Sequence, residues 1–231
     1  MRVWVPIDAA ARALGADDVA DAIRREAAAR GVEITLTRNG SRGMIWLEPL
    51  VEVEIDGVRM GFGPMTPEDV PALFDPGHPR ALGPVDELPW MKAQSRLTFA
   101  RVGVIDPLSL DDYQAHGGLA GLRAAIAAPE VIVQAVTDSG LRGRGGAGFP
   151  TGIKWATVAR AAAERKYIVC NADEGDSGTF ADRMIIEGDP YQLIEGMVIA
   201  GLAVGATRGF VYMRSEYPHA TAALRAAVVR A

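Results

Sequence analysis

Two polar, glycine-rich runs carry the groups in this chain that could do chemistry. The first is Gly-Leu-Arg-Gly-Arg-Gly-Gly-Ala-Gly-Phe-Pro-Thr-Gly-Ile-Lys-Trp, residues 140–155. It offers bare backbone N–H groups beside three cations, Arg142, Arg144 and Lys154, a combination that suits a phosphate. The second is Cys-Asn-Ala-Asp-Glu-Gly-Asp-Ser-Gly-Thr-Phe-Ala-Asp-Arg, residues 170–183. Its carboxylates (Asp173, Glu174, Asp176) and the amide of Asn171 suit hydroxyl groups and ring nitrogens. A nucleotide presents both kinds of surface. One phosphate at the glycines and a polyol at the acids fits a flavin mononucleotide or a nicotinamide dinucleotide better than ATP.

The glycine run is not a standard nucleotide fingerprint. Gly143 to Gly148 matches G-x-G-x-x-G literally, but the preceding Glu130 to Val136 reads as helix rather than as the strand that opens a Rossmann unit. A Walker loop fails as well, since Lys154 follows Ile153 and Trp155 stands where Ser or Thr is needed. Six glycines and a proline within residues 140–152 still let the backbone approach an anion closely. A helix opening near Gly152 or Ile153 would aim free N–H groups at it. Other readings stay open on the residues alone. The first run could be a flexible loop with solvated cations, or serve an ATP- or acyl-phosphate-binding enzyme. The second could be a helix-capping cluster or hold magnesium or calcium, although its spacing matches no calcium loop. No catalytic acid or base and no metal ligand set is assigned. His78, His116 and His219 lack companion ligands, and Cys170 reads as a packed strand residue.

Both runs need a scaffold, and the last third of the chain supplies an alternating one. Tyr167 to Cys170 reads as a strand, Pro190 to Val204 as a helix, Gly209 to Met213 as a strand and Ala220 to Arg230 as a helix. Strand–helix–strand of this length implies a parallel pair. Ligands sit beyond the carboxyl ends of such strands, here Asn171 to Glu174 and Arg214 to Tyr217. Upstream, Arg96 to Val102 reads as a strand, and helices are expected over Ser109–Ala115, Gly118–Ala127 and Pro129–Asp138. Residues 76–95, rich in Pro and Gly, read as a surface linker.

Residues 1–75 read as a small α/β unit. Arg2–Val5 and Val32–Thr37 suit strands, and Asp17–Arg30 suits an amphipathic helix stopped by Gly31. Leu50–Ile55 and Val58–Phe62 flank the turn signal Asp56-Gly57 and read as a hairpin. Thr66-Pro67-Glu68-Asp69 opens a short helix. The order is loosely thioredoxin-like. The fold class expected is therefore α/β: a thioredoxin-like unit over 1–75, then a non-standard Rossmann-like domain over 96–231.

Composition bounds the function classes. The 231 residues are 23% charged and 49% hydrophobic, ordinary values for a globular chain with a core. A formal net charge of −5 argues against nucleic acid as the main partner. The sole cysteine, Cys170, can neither pair within the chain nor by itself hold zinc or an iron–sulfur cluster. No basic, apolar leader opens the chain, and the apolar stretch Leu193–Val204 contains Glu195 and is short for a bilayer. A cytoplasmic protein without membrane insertion is expected.

The runs Ser139–Trp155, Asn171-Ala-Asp-Glu-Gly175, Gly178-Thr-Phe180, Asp182-Arg183 and Leu193-Ile-Glu-Gly196 resemble a family of FMN- and NADH-binding subunits. That family is shared by respiratory NADH dehydrogenase, NAD-reducing hydrogenases and NAD-dependent formate dehydrogenases. The resemblance extends from about residue 96 to the end. It implies FMN held by Gly143, Arg144, Gly145, Lys154, Asn171, Asp173, Glu174, Tyr212 and Glu216, with Phe149 and Asp176 serving NADH. Asp176 stands where the family often has Glu, and Ser215 where it often has Gly.

Gly40 to Leu50 likewise resembles the cluster loop of thioredoxin-like [2Fe–2S] ferredoxin domains, with Ser41 and Ile45 where cysteines would stand, and with Trp4 and Ala9 in the other ligand region. Such a cluster-free front unit, with the Asp106–Tyr113 segment, most resembles the beta subunit of cytoplasmic molybdenum- or tungsten-dependent formate dehydrogenases. The resemblance implies NAD(H) as substrate, an iron–sulfur and molybdenum catalytic subunit and a small ferredoxin-type gamma subunit as partners. It places a [4Fe–4S] cluster in a C-terminal part beyond residue 231. A non-catalytic scaffold is the alternative of another class.

Overall fold

A computed structural model of the chain describes residues 1–176 and 178–231. The protein is mixed α/β. Five strands form one sheet: β1 (Arg2–Trp4), β2 (Thr35–Thr37), β3 (Val51–Ile55), β4 (Val58–Phe62) and β5 (Ala81–Pro84), in the order β2-β1-β3-β4-β5. β1 and β2 run parallel, while β1–β3, β3–β4 and β4–β5 are antiparallel. The β3–β4 hairpin turns on Asp56 and Gly57 with φ of 51° and 78°. Both angles lie in the left-handed region that a two-residue turn of this twist demands, so an Asp-Gly pair fits there.

The helix Ala16–Arg30 buries Val19, Ala20, Ala22 and Ile23 in the core that also contains Val3, Val51 and Val53. It ends where Gly31 adopts φ +66°, and the N–H of Val32 returns to the Ala27 carbonyl at 2.9 Å. That closure uses Val32, and β2 begins only at Thr35 rather than at Val32. The helix opening after Thr66 is a 3-10 helix, Pro67–Phe74, because Pro71 lies inside it and lacks the N–H an α-helix needs.

Two expectations fail here. Residues 76–95 are not a bare linker. Ala81–Pro84 completes the sheet as β5, and Val85 and Met91 are buried with Met44 and Leu50. Neither is Arg96–Val102 a strand. Val102 donates to Phe99 and Val104 to Arg101, so the chain folds into successive local turns that bury Val102 and Ile105.

The second sheet has two parallel strands, β6 (Tyr167–Ala172) and β7 (Arg208–Met213), joined through helices Ala181–Gly188 and Pro190–Val204. The helix Pro190–Val204 packs on both strands and on Thr151–Arg160. Glu195 on this helix accepts from the Tyr113 hydroxyl at 2.5 Å and from the N–H groups of Leu119 and Leu122 at 2.8 and 2.9 Å. It thereby caps the helix Ala120–Ala127 and fastens it to the scaffold. The two sheets are tied together: Asn39 and Arg59 donate to the Gly103 carbonyl, and Glu187 accepts from the Ala9 N–H at 2.6 Å. Gly40 and Gly188 meet so closely that a Cβ on Gly40 would lie 2.8 Å from the Gly188 Cα. Among the described residues no single helix is long and apolar enough to cross a membrane.

Candidate functional site

The glycine run is a pinned loop. Arg142 and Pro150 form an isolated antiparallel bridge, Gly143 N–H donates to the Phe149 carbonyl at 2.9 Å, and Thr151 N–H donates to the Leu141 carbonyl at 2.8 Å. The Arg142 guanidinium closes the loop on the Gly148 carbonyl at 2.8 Å. Gly146 and Gly148 adopt φ of +98° and +60°, where a side chain would be strained. No heavy atom lies within 4 Å of a Cβ built at Gly145 or Gly146, so these two backbone units face open space. The helix Thr151–Arg160 starts behind Pro150 without a side-chain cap, so its first N–H groups are not consumed by a capping side chain. Lys154 in its first turn places Nζ 5.6 Å from the centroid of the Phe149 ring and near Gly143. Gly143, Phe149 and Lys154 are thus one constellation, and the loop is an ordered structure rather than a slack one.

Gly152 plays a different part. A Cβ there would meet the Thr137 hydroxyl and lie 2.6 Å from the Thr137 Cα. This glycine lets the helix Thr151–Arg160 pack onto Ile132–Asp138, which sets the direction in which the loop projects.

The second constellation stands at the carboxyl ends of β6 and β7. Their register pairs Asn171 with Tyr212 and Ala172 with Met213. Partners in register share a face. Val169, Phe210 and Tyr212 are exposed on one face, whereas Cys170, Ala172, Val211 and Met213 pack with Ile186 and Leu224 on the other. Asn171 accepts from the Asp173 N–H at 3.1 Å, which turns the chain out of the strand. Asp173 lies close to Gly175 and Arg214, and Arg214 pairs with Glu216 at 2.7 Å. That guanidinium, with the Ser215 hydroxyl, holds the Glu216 carboxyl down at about 2. Asp176 accepts from the Thr179 N–H through its backbone carbonyl at 3.1 Å.

Glu174 does not present its carboxylate to a ligand. The side chain is 3% exposed and accepts from Asp182 N–H at 2.6 Å, Arg183 N–H at 3.0 Å and Arg183 Nε at 3.2 Å. It caps the helix Ala181–Gly188, and this fixes the loop from within at a φ of +41°. The Tyr217 hydroxyl donates to the Glu174 carbonyl at 2.7 Å, and the Arg183 guanidinium lies over the Tyr217 ring at 4.4 Å. Arg183 and Tyr217 therefore belong to the architecture of the site. A cap that lies eight residues before the Asp182 N–H it accepts leaves no short-range spacing signal of the kind a capping box leaves.

In the front unit, the Ser41 hydroxyl donates to Glu48 at 2.6 Å and accepts from the Gly43 N–H at 3.0 Å. Ala9 and Ile45 line a cavity of about 300 Å³ with Asp8, Phe180 and Met184. These positions carry an oxygen hydrogen-bonded to a carboxyl and two hydrocarbon groups, a set that does not ligate iron through sulfur.

The glycine loop and the polar strand ends lie within a segment, residues 136–231, that matches the family model described as Nuo51 FMN-binding domain. Residues 136–231 of this chain are thus similar to the Nuo51 FMN-binding domain. It is 52% identical over 138 residues to the NADP-reducing hydrogenase subunit HndC of Solidesulfovibrio fructosivorans, across 59% of this chain and 28% of that protein. It is 50% identical over 132 residues to an NADH-quinone oxidoreductase subunit of Rhizobium meliloti (strain 1021), across 56% and 31%. A crystal structure of an NAD+-reducing [NiFe]-hydrogenase in the air-oxidized state superposes with a TM-score of 0.50 at 25% identity, over 99% of this chain and 40% of the other. The chain spans less than a third of these two curated relatives.

Proposed function

We propose that this chain is the FMN- and NAD(H)-binding portion of a diaphorase subunit, an oxidoreductase component of a multisubunit complex. The observation that carries the proposal is the pinned glycine loop, with the open backbone of Gly145 and Gly146 beside Lys154 at an uncapped helix start. Those groups fit a phosphate monoester. Gly143, Arg144, Gly145 and Lys154 would hold the FMN phosphate. Asn171, Asp173, Tyr212 and Glu216 would meet its polyol and ring, with Glu174 shaping the loop from inside. Phe149 and Asp176 would serve the nicotinamide nucleotide.

When bound, FMN supplies the exchange between two-electron hydride chemistry and one-electron transfer. The residues of this chain supply position and charge: Lys154 neutralises an anion, and the Asn171–Gly175 turn orients hydroxyl groups. Cys170 is the only cysteine, so the iron–sulfur groups that take the electrons onward would sit on other chain segments or subunits. The experiment is purification with native partners, identification of bound flavin, and NADH–ferricyanide assay. A colourless, inactive assembly rejects the reading.

For the finer assignment we infer a cytoplasmic NAD-dependent formate dehydrogenase, with an iron–sulfur and molybdenum catalytic subunit and a ferredoxin-type gamma subunit. Its support is the front unit, read as a thioredoxin-like scaffold over 1–75 with Ser41 and Ile45 at cluster-ligand positions, preceding an FMN domain over 96–231. Assaying the native assembly with formate, with hydrogen and with a quinone separates this from the hydrogenase and respiratory alternatives.

A further inference from the structure

A cleft of about 600 Å³ opens where the β3–β4 turn, the residues after β5 and the turns around Ala100 meet. Three guanidinium groups line it, those of Arg42, Arg59 and Arg96. The buried counter-charge is one carboxylate, Glu52, whose side chain is 1% exposed. Glu52 takes Arg42 in a two-pronged pair at 2.9 and 2.8 Å and reaches Arg59 at 3.4 Å. Two further acids, Asp86 and Glu87, line the cleft from the rim, with side chains 79% and 63% exposed. Asp86 touches Arg42 only at 3.5 Å, and Glu87 is already paired with Lys92.

Carbonyl groups take part of the remaining donor capacity. Arg59 donates to Gly103 and Val104, and Arg96 donates to Arg42 and Val102. The Nε of Arg96 is buried and, among the described residues, has no hydrogen-bond partner. Burial, with repulsion from Arg42, pulls both Arg59 and Arg96 below the ordinary arginine range. Holding desolvated guanidinium groups with too little negative charge is costly, and a bound anion would relieve it.

We propose that this cleft binds a small oxyanion, a phosphate- or carboxylate-bearing metabolite, through Arg96 with Arg59 and Arg42 beside it. The planar fork of arginine matches both kinds of oxyanion. The site is separate from the glycine loop, and it uses none of the residues assigned above to FMN or NAD(H).

The test is titration calorimetry on the FMN-loaded full subunit with inorganic phosphate, pyrophosphate and citrate, against sodium chloride at matched ionic strength. FMN keeps the glycine loop filled. The expected result is saturable binding of at least one probe, which Arg96→Gln weakens roughly tenfold or more. Asp86→Asn removes an exposed rim carboxylate, leaves the fold alone, and tightens the same binding about threefold. This second variant carries the test if Arg96→Gln does not fold. Preference for phosphate and pyrophosphate over citrate, or the reverse, identifies the source. No saturable binding tighter than about 10 mM overturns the proposal. So does binding that ignores both variants, or that disappears in Lys154→Ala, which would place it at the glycine loop.

Discussion

The carboxylate of Glu174 accepts both the backbone N–H and the Nε of Arg183, at 3.0 and 3.2 Å. This pair joins the turn after β6 to the first residues of the helix Ala181–Gly188. Removing the carboxylate takes the cap from the helix and leaves part-buried donors unpaired, which typically costs about 0.5–2 kcal/mol. Glu174→Ala should therefore lower stability by up to about 2 kcal/mol in urea denaturation, and Glu174→Gln by less. An unchanged midpoint in the alanine variant would show that the cap does not hold the loop.

Lys154 has few packing duties: its ammonium lies near the Phe149 ring and the Gly143 backbone. Lys154→Ala should leave folding intact and weaken FMN binding about tenfold or more, equivalent to ~1.4 kcal/mol. Quenching of flavin fluorescence during titration reads this directly. Undiminished affinity would move the phosphate away from the loop.

Gly152→Ala tests whether the loop is aimed by helix packing. The new methyl would lie 2.6 Å from the Thr137 Cα, a backbone atom that cannot rotate aside. Overpacking of this kind costs about 1–3 kcal/mol. Melting should fall accordingly, and FMN retention should fall with it although Gly152 is not assigned to the ligand. Thr137→Ala should not rescue the variant, since the Cα clash remains.

Buried acids at the junction of the two sheets set a pH dependence. Desolvation, reinforced by nearby Asp8, raises Glu48 to about 8, despite hydrogen bonds from Ser41 and Leu50 that oppose the shift. Desolvation raises Glu187 to about 7, opposed mainly by the Ala9 N–H and helped by Asp8. Between the unfolded carboxyl range and these values the folded chain binds more protons than the unfolded chain. Stability should therefore fall as pH rises from about 5 through 8. Glu48→Gln mimics the neutral acid, so it should match the parent near pH 5.5 and exceed it near pH 8.5 by chemical denaturation. A parent whose stability rises over that window would contradict the assignment.

Part of the fold was legible locally. Asp56-Gly57 specified a hairpin because a two-residue turn needs two left-handed residues, and the strands on either side agree with the register found. Gly31 stopped its helix for a similar reason. β5 was not legible, because Leu82-Gly83-Pro84 has the composition of a loop and becomes a strand only through pairing with Met60 and Gly61. Arg96–Val102 erred the other way: Leu97 and Phe99 alternate as in a strand, but Leu97 is exposed and the segment closes on itself in local turns.

The chain's order of residues by itself determined the loop chemistry: glycines and cations over 140–155, amide and acids over 171–176, and strands that end at the second of these. It did so because backbone freedom, charge and side-chain period are local properties. Only the tertiary structure decided that Glu174 turns inward as a cap, that Gly152 packs a helix rather than faces a ligand, and that Arg42, Arg59 and Arg96 converge on one cleft. Those outcomes depend on contacts between residues distant in sequence, where burial and partner geometry, rather than residue type, fix what a side chain does.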